Sequence, residues 1–150
     1  MEKIDFTKII FVDELTSINE LENFSNELGI KFITFDYISH TKLIEKNIDH
    51  EISEIYLHED KNKLQKQCYE FLNWNNLEEV KKNINFLDIN ICKLYDDQLI
   101  HKFVKILKNF SEIKSIINKF PKLKYFASGD LLLISKLLIK SVNEISNNNE

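Results

Sequence analysis

The chain contains no arginine: all twenty basic residues among its 150 are lysine. No side chain can therefore make the bidentate guanidinium contact that phosphate and guanine recognition favour. A net charge of −4 weighs further against a nucleic-acid partner, and none is expected. Two glycines and one proline leave no material for a glycine-rich phosphate cradle. Both the Gly-x-Gly-x-x-Gly turn of dinucleotide-binding domains and the P-loop are absent, and no cofactor is expected. Cys68 and Cys92 stand far apart and fit no metal-ligand spacing, so they read as reduced, buried thiols. His50, His58 and His101 likewise fit no zinc pattern. The longest apolar run, Leu131 to Ile139, is interrupted by Ser135 and Lys136 and falls well short of the ~20 residues of a membrane span. Met1-Glu2-Lys3-Ile4-Asp5 is charged and no long apolar stretch follows it, so no signal peptide is expected and a cytoplasmic location follows. The missing arginine, with abundant asparagine and isoleucine, has the look of the codon bias of an AT-rich genome.

What the chain does have is three short apolar runs that each end in an acidic residue before a helix-starting signal. They are Ile9-Ile10-Phe11-Val12-Asp13-Glu14, Lys31-Phe32-Ile33-Thr34-Phe35-Asp36 and Lys124-Tyr125-Phe126-Ala127-Ser128-Gly129-Asp130. β-Branched and aromatic residues without clean alternation suit strands covered on both faces of a parallel sheet. The spacing predicts strands over 9–15, 31–37 and 123–128. After the first, Ser17 and Glu20 have capping-box spacing, and Ile18, Leu21, Phe24 or Ser25, and Leu28 mark one helical face that Gly29 closes. Ser39 or Thr41 would cap a short helix through Lys46. A helix is expected from Glu59, interrupted at Asn73-Trp74-Asn75-Asn76, and residues 84–120 read as mainly helical up to Pro121. Weak strands could hide in 52–58 and 84–92. A strongly apolar helix is predicted over 131–145, followed by a polar tail, 146–150.

The fold class is therefore α/β, a small three-layer Rossmann-like domain over residues 1–145 with a short parallel sheet of three to five strands and a large helical share. Ligands of such sheets sit outside the carboxyl ends of the strands. That places Asp13, Glu14, Asp36 and His40 as candidate catalytic groups. Two carboxylates sharing a site raise one pKa toward that of a general base, and a histidine beside an acid titrates near neutrality. Ser128, Gly129 and Asp130 are the candidate ligand-binding turn, with Gly129 allowing a positive φ and helix amides opening into the crevice. The same acids could instead be ordinary helix caps. Trp74 could stack on a sugar or base, or simply be a partly buried aromatic at a helix end.

Taken together, these segments resemble the N-terminal Rossmann-like domain of bacterial surface-polysaccharide and capsule biosynthesis glycosyltransferases of GT-B type. The residues that carry the likeness are Ile9 to Glu14, Phe32 to Tyr37 with Ser39-His40, the Trp74 segment, and Lys124 to Asp130 leading into Leu131-Leu132-Leu133-Ile134. The resemblance implies a domain that receives a carbohydrate acceptor, or touches a nucleotide-sugar, while a second domain holds the donor. On that reading the chain is part of a longer protein or a stand-alone relative, and would not transfer sugar by itself. No metal ligand is implied.

Two other classes bear on the same acids. A phosphorylation-receiver domain needs an acidic pair after its first strand, a phosphorylatable aspartate after its third and a lysine after its fifth. Asp13-Glu14 supplies the pair, but Asp36 follows the second strand and no lysine stands after the last. A non-catalytic interaction module would instead use the apolar 131–145 helix against a second copy or a second domain. A ligand site requires Asp13, Asp36 and Asp130 to converge; an interaction module does not.

Overall fold

A computed structural model describes residues 6–25, 27–58, 61–86, 89–90, 93 and 96–145. In chain order the elements begin with β1 (Lys8–Val12), α1 (Ile18–Ser25), β2 (Ile30–Thr34), α2 (Tyr37–Glu45) and β3 (His50–Ile52). After a 3-10 turn at Ser53–Tyr56 come α3 (Lys61–Leu72), a second such turn at Asn73–Asn76, α4 (Glu78–Ile84), β4 (Asn85–Phe86) and β5 (Ile89–Asn90). The chain continues through α5 (Asp96–Lys119), β6 (Lys124–Ala127), α6 (Gly129–Leu138) and β7 (Val142–Glu144). These elements gather into two compact units, one of residues 1–57 with 112–150 and one of residues 58–111.

The first unit is built on a five-stranded parallel sheet in the order β3-β2-β1-β6-β7. The three apolar runs supply its three middle strands. β1 is central because every one of Ile9, Ile10, Phe11 and Val12 is buried, which only a strand covered on both faces allows. Alternate residues serve opposite faces. Ile10, Val12 and Phe32 pack against Leu21 and Phe24 of α1 and Leu43 of α2. Phe11 points the other way and meets Phe35 edge-on at 5.3 Å and Tyr125 at 5.7 Å. The connections out of β1 and out of β6 travel in opposite directions across the sheet. Right-handed crossovers then put α6 on the other face from α1 and α2, giving the three layers of a Rossmann-like fold.

Local signals explain most of the boundaries. Gly29, at φ 77°, turns the chain into β2, and its carbonyl accepts from the amides of Thr7 and Lys8. α2 closes in a Schellman motif: Asn47 is left-handed at φ 54°, its amide donates to Ile44, and that of Ile48 donates to Leu43. Tyr125 donates its hydroxyl to the Phe120 carbonyl at 2.6 Å, next to Pro121, and burial pushes its pKa up to about 12.

Two of the five strands depart from the sequence pattern. The weak strand is β3 at His50–Ile52, ahead of the 52–58 region, where residues 53–56 form a 3-10 turn instead. The apolar helix predicted over 131–145 stops at Leu138. Ile139 is extended at φ −137°, ψ 136°, and Val142–Glu144 pairs with β6 as a fifth strand. Ile145 is then buried in the core beside Ile10 and Val12. The segment expected to await a partner is thus partly used within the fold.

At the outer end of the sheet, Glu51 of β3 accepts from Lys31 of β2 and from the buried Tyr56 hydroxyl. Burial alone would raise the Glu51 pKa, but the hydroxyl and ammonium outweigh it and hold it below the ordinary value. The stability this provides is complete above pH 4.5, the ordinary glutamate value, and is lost as pH falls through the depressed one. Glu51→Gln is therefore expected to flatten the acid side of a plot of melting temperature against pH. An unchanged acid limb would rule the network out as its source.

The second unit contains α3, α4, the antiparallel β4–β5 pair and the first part of α5. Its core joins Cys68 and Ile100 with Leu99, Phe103, Val104 and Leu107, and Phe71 meets Phe103 edge-on at 4.6 Å. Cys68 is a free, fully buried thiol whose pKa burial raises. Cys92, the side chain of Trp74 and the 146–150 tail lie outside the described residues. Among the described residues no helix is long and apolar enough to cross a membrane.

Candidate functional site

The switch point of this sheet lies between β1 and β6, where the two halves diverge, the place at which α/β sheets of this kind hold ligands. Asp13 follows β1 directly and is only 5% exposed. Its Oδ1 accepts from the Leu15 amide at 3.1 Å and from the Thr16 hydroxyl at 2.9 Å, an Asx turn reinforced by a hydroxyl three residues on. Asp13 returns the bond through its own amide, which donates to Thr16 Oγ1 at 3.1 Å. Across the switch point, Thr16 Oγ1 lies 3.0 Å from Ser128 Oγ at the end of β6. A single buried hydroxyl thereby ties the two strands that flank the switch point.

Electrostatics single out Asp13. Burial raises its pKa; the Thr16 hydroxyl and the Leu15 amide pull the other way, and the Asp36 carboxylate adds to the rise. The net effect is a carboxyl held above its ordinary value, which is the direction a general base needs.

Asp36 has a different job. Its Oδ1 accepts from the Ser39 amide at 2.7 Å and its Oδ2 from the Glu14 amide at 2.8 Å. It is the N-cap of α2, in place of Ser39 or Thr41, and it also pins the β1–α1 loop. Ser39 turns its hydroxyl back to the Asp36 carbonyl at 3.0 Å. Lys42 reaches the Glu14 carbonyl at 2.9 Å, so Glu14 is held through its backbone from both sides.

His40 turns toward β3. Its Nδ1 lies 2.7 Å from Nε2 of His50, whose own Nδ1 lies 2.7 Å from the Ile48 carbonyl. That carbonyl can only accept, so His50 carries a proton on Nδ1, and with both rings neutral its Nε2 takes the His40 Nδ1–H. The pair joins α2 to the sheet edge.

Gly129 opens α6 at φ 51°, and a methyl group placed on it would meet nothing within 4 Å. Its left-handed backbone is what calls for glycine there. Asp130 stands exposed on the first turn of α6. Hydrogen bonds thus link Asp13 through Thr16 to Ser128, and Asp36 to the Glu14 backbone, with Gly129 next to Ser128. His40 pairs with His50, and exposed Asp130 is not part of this hydrogen-bonded set, so the three aspartates do not all converge. Thr16, the hub of the cluster, was not singled out by sequence reasoning. Its signal is the Asp-x-x-Thr spacing after a strand, which sets up the turn.

The larger of the described cavities, about 540 Å³, lies at the opposite end of the strands, lined in part by Ile30, Lys31, Asn47, Ile48 and His50. Its lysines are already paired, Lys31 with Glu51 and Lys46 with Glu22. Nothing in its chemistry selects a ligand, whereas the polar cluster at the switch point joins Asp13, Thr16 and Ser128 by hydrogen bonds. Among the described residues no three His, Cys, Asp or Glu side chains converge as a metal site. Compared with family models, curated proteins and solved structures, the chain matches none.

Proposed function

We propose that the carboxyl edge of the sheet around Asp13, Thr16 and Ser128 binds a hydroxyl-rich ligand, and that the domain supplies the acceptor side of a sugar-transfer cleft. The observation that carries this reading is Asp13: a buried carboxyl at the switch point whose pKa is raised by its surroundings. Burying such a group is costly, and strand ends of this kind are where α/β sheets hold ligands. In its ionised form Asp13 would accept the proton of an acceptor hydroxyl as that oxygen bonds to the anomeric carbon of a nucleotide-sugar held by another domain, while the anomeric C–O bond to the nucleotide breaks and the nucleotide leaves with the electron pair. The resemblance to polysaccharide glycosyltransferases supports the same class of ligand.

Ligand-detected NMR and thermal shift against methyl hexosides, nucleotide-sugars, nucleotides and divalent ions test it, with wild type beside Asp13→Ala. Saturable binding of a glycoside, at least tenfold weaker in the variant, is the expected result. No binding to any probe, together with a concentration-dependent dimer by sedimentation, would reject it. That outcome would favour an interaction module instead, a reading motivated by Leu133 and Leu137, which α6 leaves 64% and 78% exposed one turn apart.

A further inference from the structure

His40 and His50 lie outside the Asp13 cluster and face each other between α2 and β3. The nitrogens that meet, His40 Nδ1 and His50 Nε2, are 2.7 Å apart, with the rings edge-on at 4.9 Å. His50 is held at its other nitrogen by the Ile48 carbonyl, also at 2.7 Å. One proton between the facing nitrogens makes a hydrogen bond. A first added proton goes to the remaining nitrogen of His40, Nε2, and leaves that bond in place, now charge-assisted. A second can only enter the gap itself, where two N–H groups then point at each other and two charges meet. The contact therefore holds with the pair neutral or singly charged, and fails with both rings charged.

The charged groups around the pair are otherwise engaged or exposed. On α2, both Asp36 carboxylate oxygens are taken by the Ser39 and Glu14 amides, Lys42 reaches the Glu14 carbonyl, and Glu45 is exposed. The cavity that His50 lines also carries Glu27, Lys31, Lys46, Asp49 and Glu51. Lys31 is paired with Glu51, Lys46 with Glu22, and Glu27 with Lys8, while Asp49 is exposed. Among the described residues no carboxylate bonds to either ring.

We propose that the His40–His50 contact is an acid-sensitive latch: it ties β3, the three-residue edge of the sheet, to α2, and it opens when both rings are protonated. Leu43, fully buried in the core, keeps α2 on the sheet in either state, so what comes loose is β3. The edge of β2 is then free to pair with another strand. Proton counts set the direction. Opened, each histidine takes a proton near the ordinary value of ~6.5; latched, the pair keeps its bond with one. The open form binds one proton more, so acid favours it by about tenfold per pH unit below that value.

NMR on the full chain tests this, with wild type beside His40→Asn. The asparagine amide can donate to His50 Nε2, or turn over and accept from it once it is protonated. At pH 8 the imidazole nitrogen shifts are expected to show both rings protonated on Nδ1. From pH 8 to pH 5, protection of the β3 amides against hydrogen exchange, corrected for the intrinsic rate, should fall by about tenfold or more in wild type while β1 holds. In His40→Asn the β3 amides should hold as well. Glu51 does not contribute in this range, since its own stabilisation is complete above pH 4.5. Either ring protonated on Nε2 alone at pH 8 overturns the bond and the latch together. Unchanged β3 protection in wild type overturns the latch and leaves the bond. An equal fall in His40→Asn overturns it too, because the acid response then belongs to other groups.

Discussion

Asp13→Asn is expected to make the protein more stable and less able to bind. The amide oxygen of asparagine can still accept from the Leu15 amide and the Thr16 hydroxyl, so the turn after β1 is kept. What disappears is a buried charge whose desolvation raises the pKa of the native carboxyl. At neutral pH this should raise the melting temperature, each kcal/mol recovered being worth about 2–4 °C in a chain of this size. The pH dependence has a definite sign. Folded Asp13 holds its proton more tightly than the unfolded chain does. From the ordinary value of 3.8 up to its raised folded value, rising pH therefore removes stability; above that the cost is constant. Wild type should lose this increment across the acid range and Asp13→Asn should not. Glycoside binding, if it uses the ionised form, falls at least tenfold in the same variant. Gaining stability while losing binding is the mark of a residue kept for function. Melting curves of both proteins between pH 4 and 8 decide it, and superimposable pH profiles would count against a strained Asp13.

Phe11→Ala should have the opposite effect on stability, and a larger one. Phe11 is fully buried in the central strand, opposite Ile33 of β2 in the sheet register, with its ring against Phe35 and Tyr125. Truncating such a ring costs about 3–5 kcal/mol in lost transfer energy and residual cavity. Against the roughly 5–15 kcal/mol that holds typical domains together, that leaves little. Leu137→Ala is the control: at 78% exposed its removal should change stability by under ~0.5 kcal/mol. Urea titrations of the three proteins measure both. A loss below about 1 kcal/mol for Phe11→Ala would contradict the packing described for that face of the sheet.

The parts of this fold that could be read from the sequence are those where burial dictates residue type. β1, β2 and β6 announce themselves because a strand with neighbours on both sides and helices on both faces has no solvent-facing position to break the apolar run. β3 and β7 have three residues each and lie at the edges, so no period can develop in them. The apolar stretch from Leu131 onward runs into β7 without a glycine or proline to mark the change. The helix ends at Ile139 because tertiary pairing with β6 takes over from local preference. The acidic strand ends were visible, and Asp13 lies at the switch point. The division of labour among them was not, since whether an aspartate faces a ligand site or caps a helix depends on where the next helix starts. Asp36 caps α2 because that helix begins at Tyr37, earlier than Ser39 or Thr41 would have it. Thr16 stayed hidden because its contact is with Ser128, 112 positions away in the chain. The His40–His50 bond also depends on β3 being a strand.

The strand order has a consequence for how the chain assembles. β1, β2 and β3 follow one another within residues 8–52, so they can pair over short loops while the rest of the polypeptide is still being made. β6 must return to β1 past the whole of residues 58–111, pairing Lys8 with Lys124. Until it does, one edge of the most apolar strand stands open, an invitation to pair with another molecule. The β1–β6 seam thus closes late, with only β7 left to add to the far side of β6. The Thr16–Ser128 contact forms only with that closure, so ligand capture at this point would report that the long-range pairing is made and would draw that step forward by mass action.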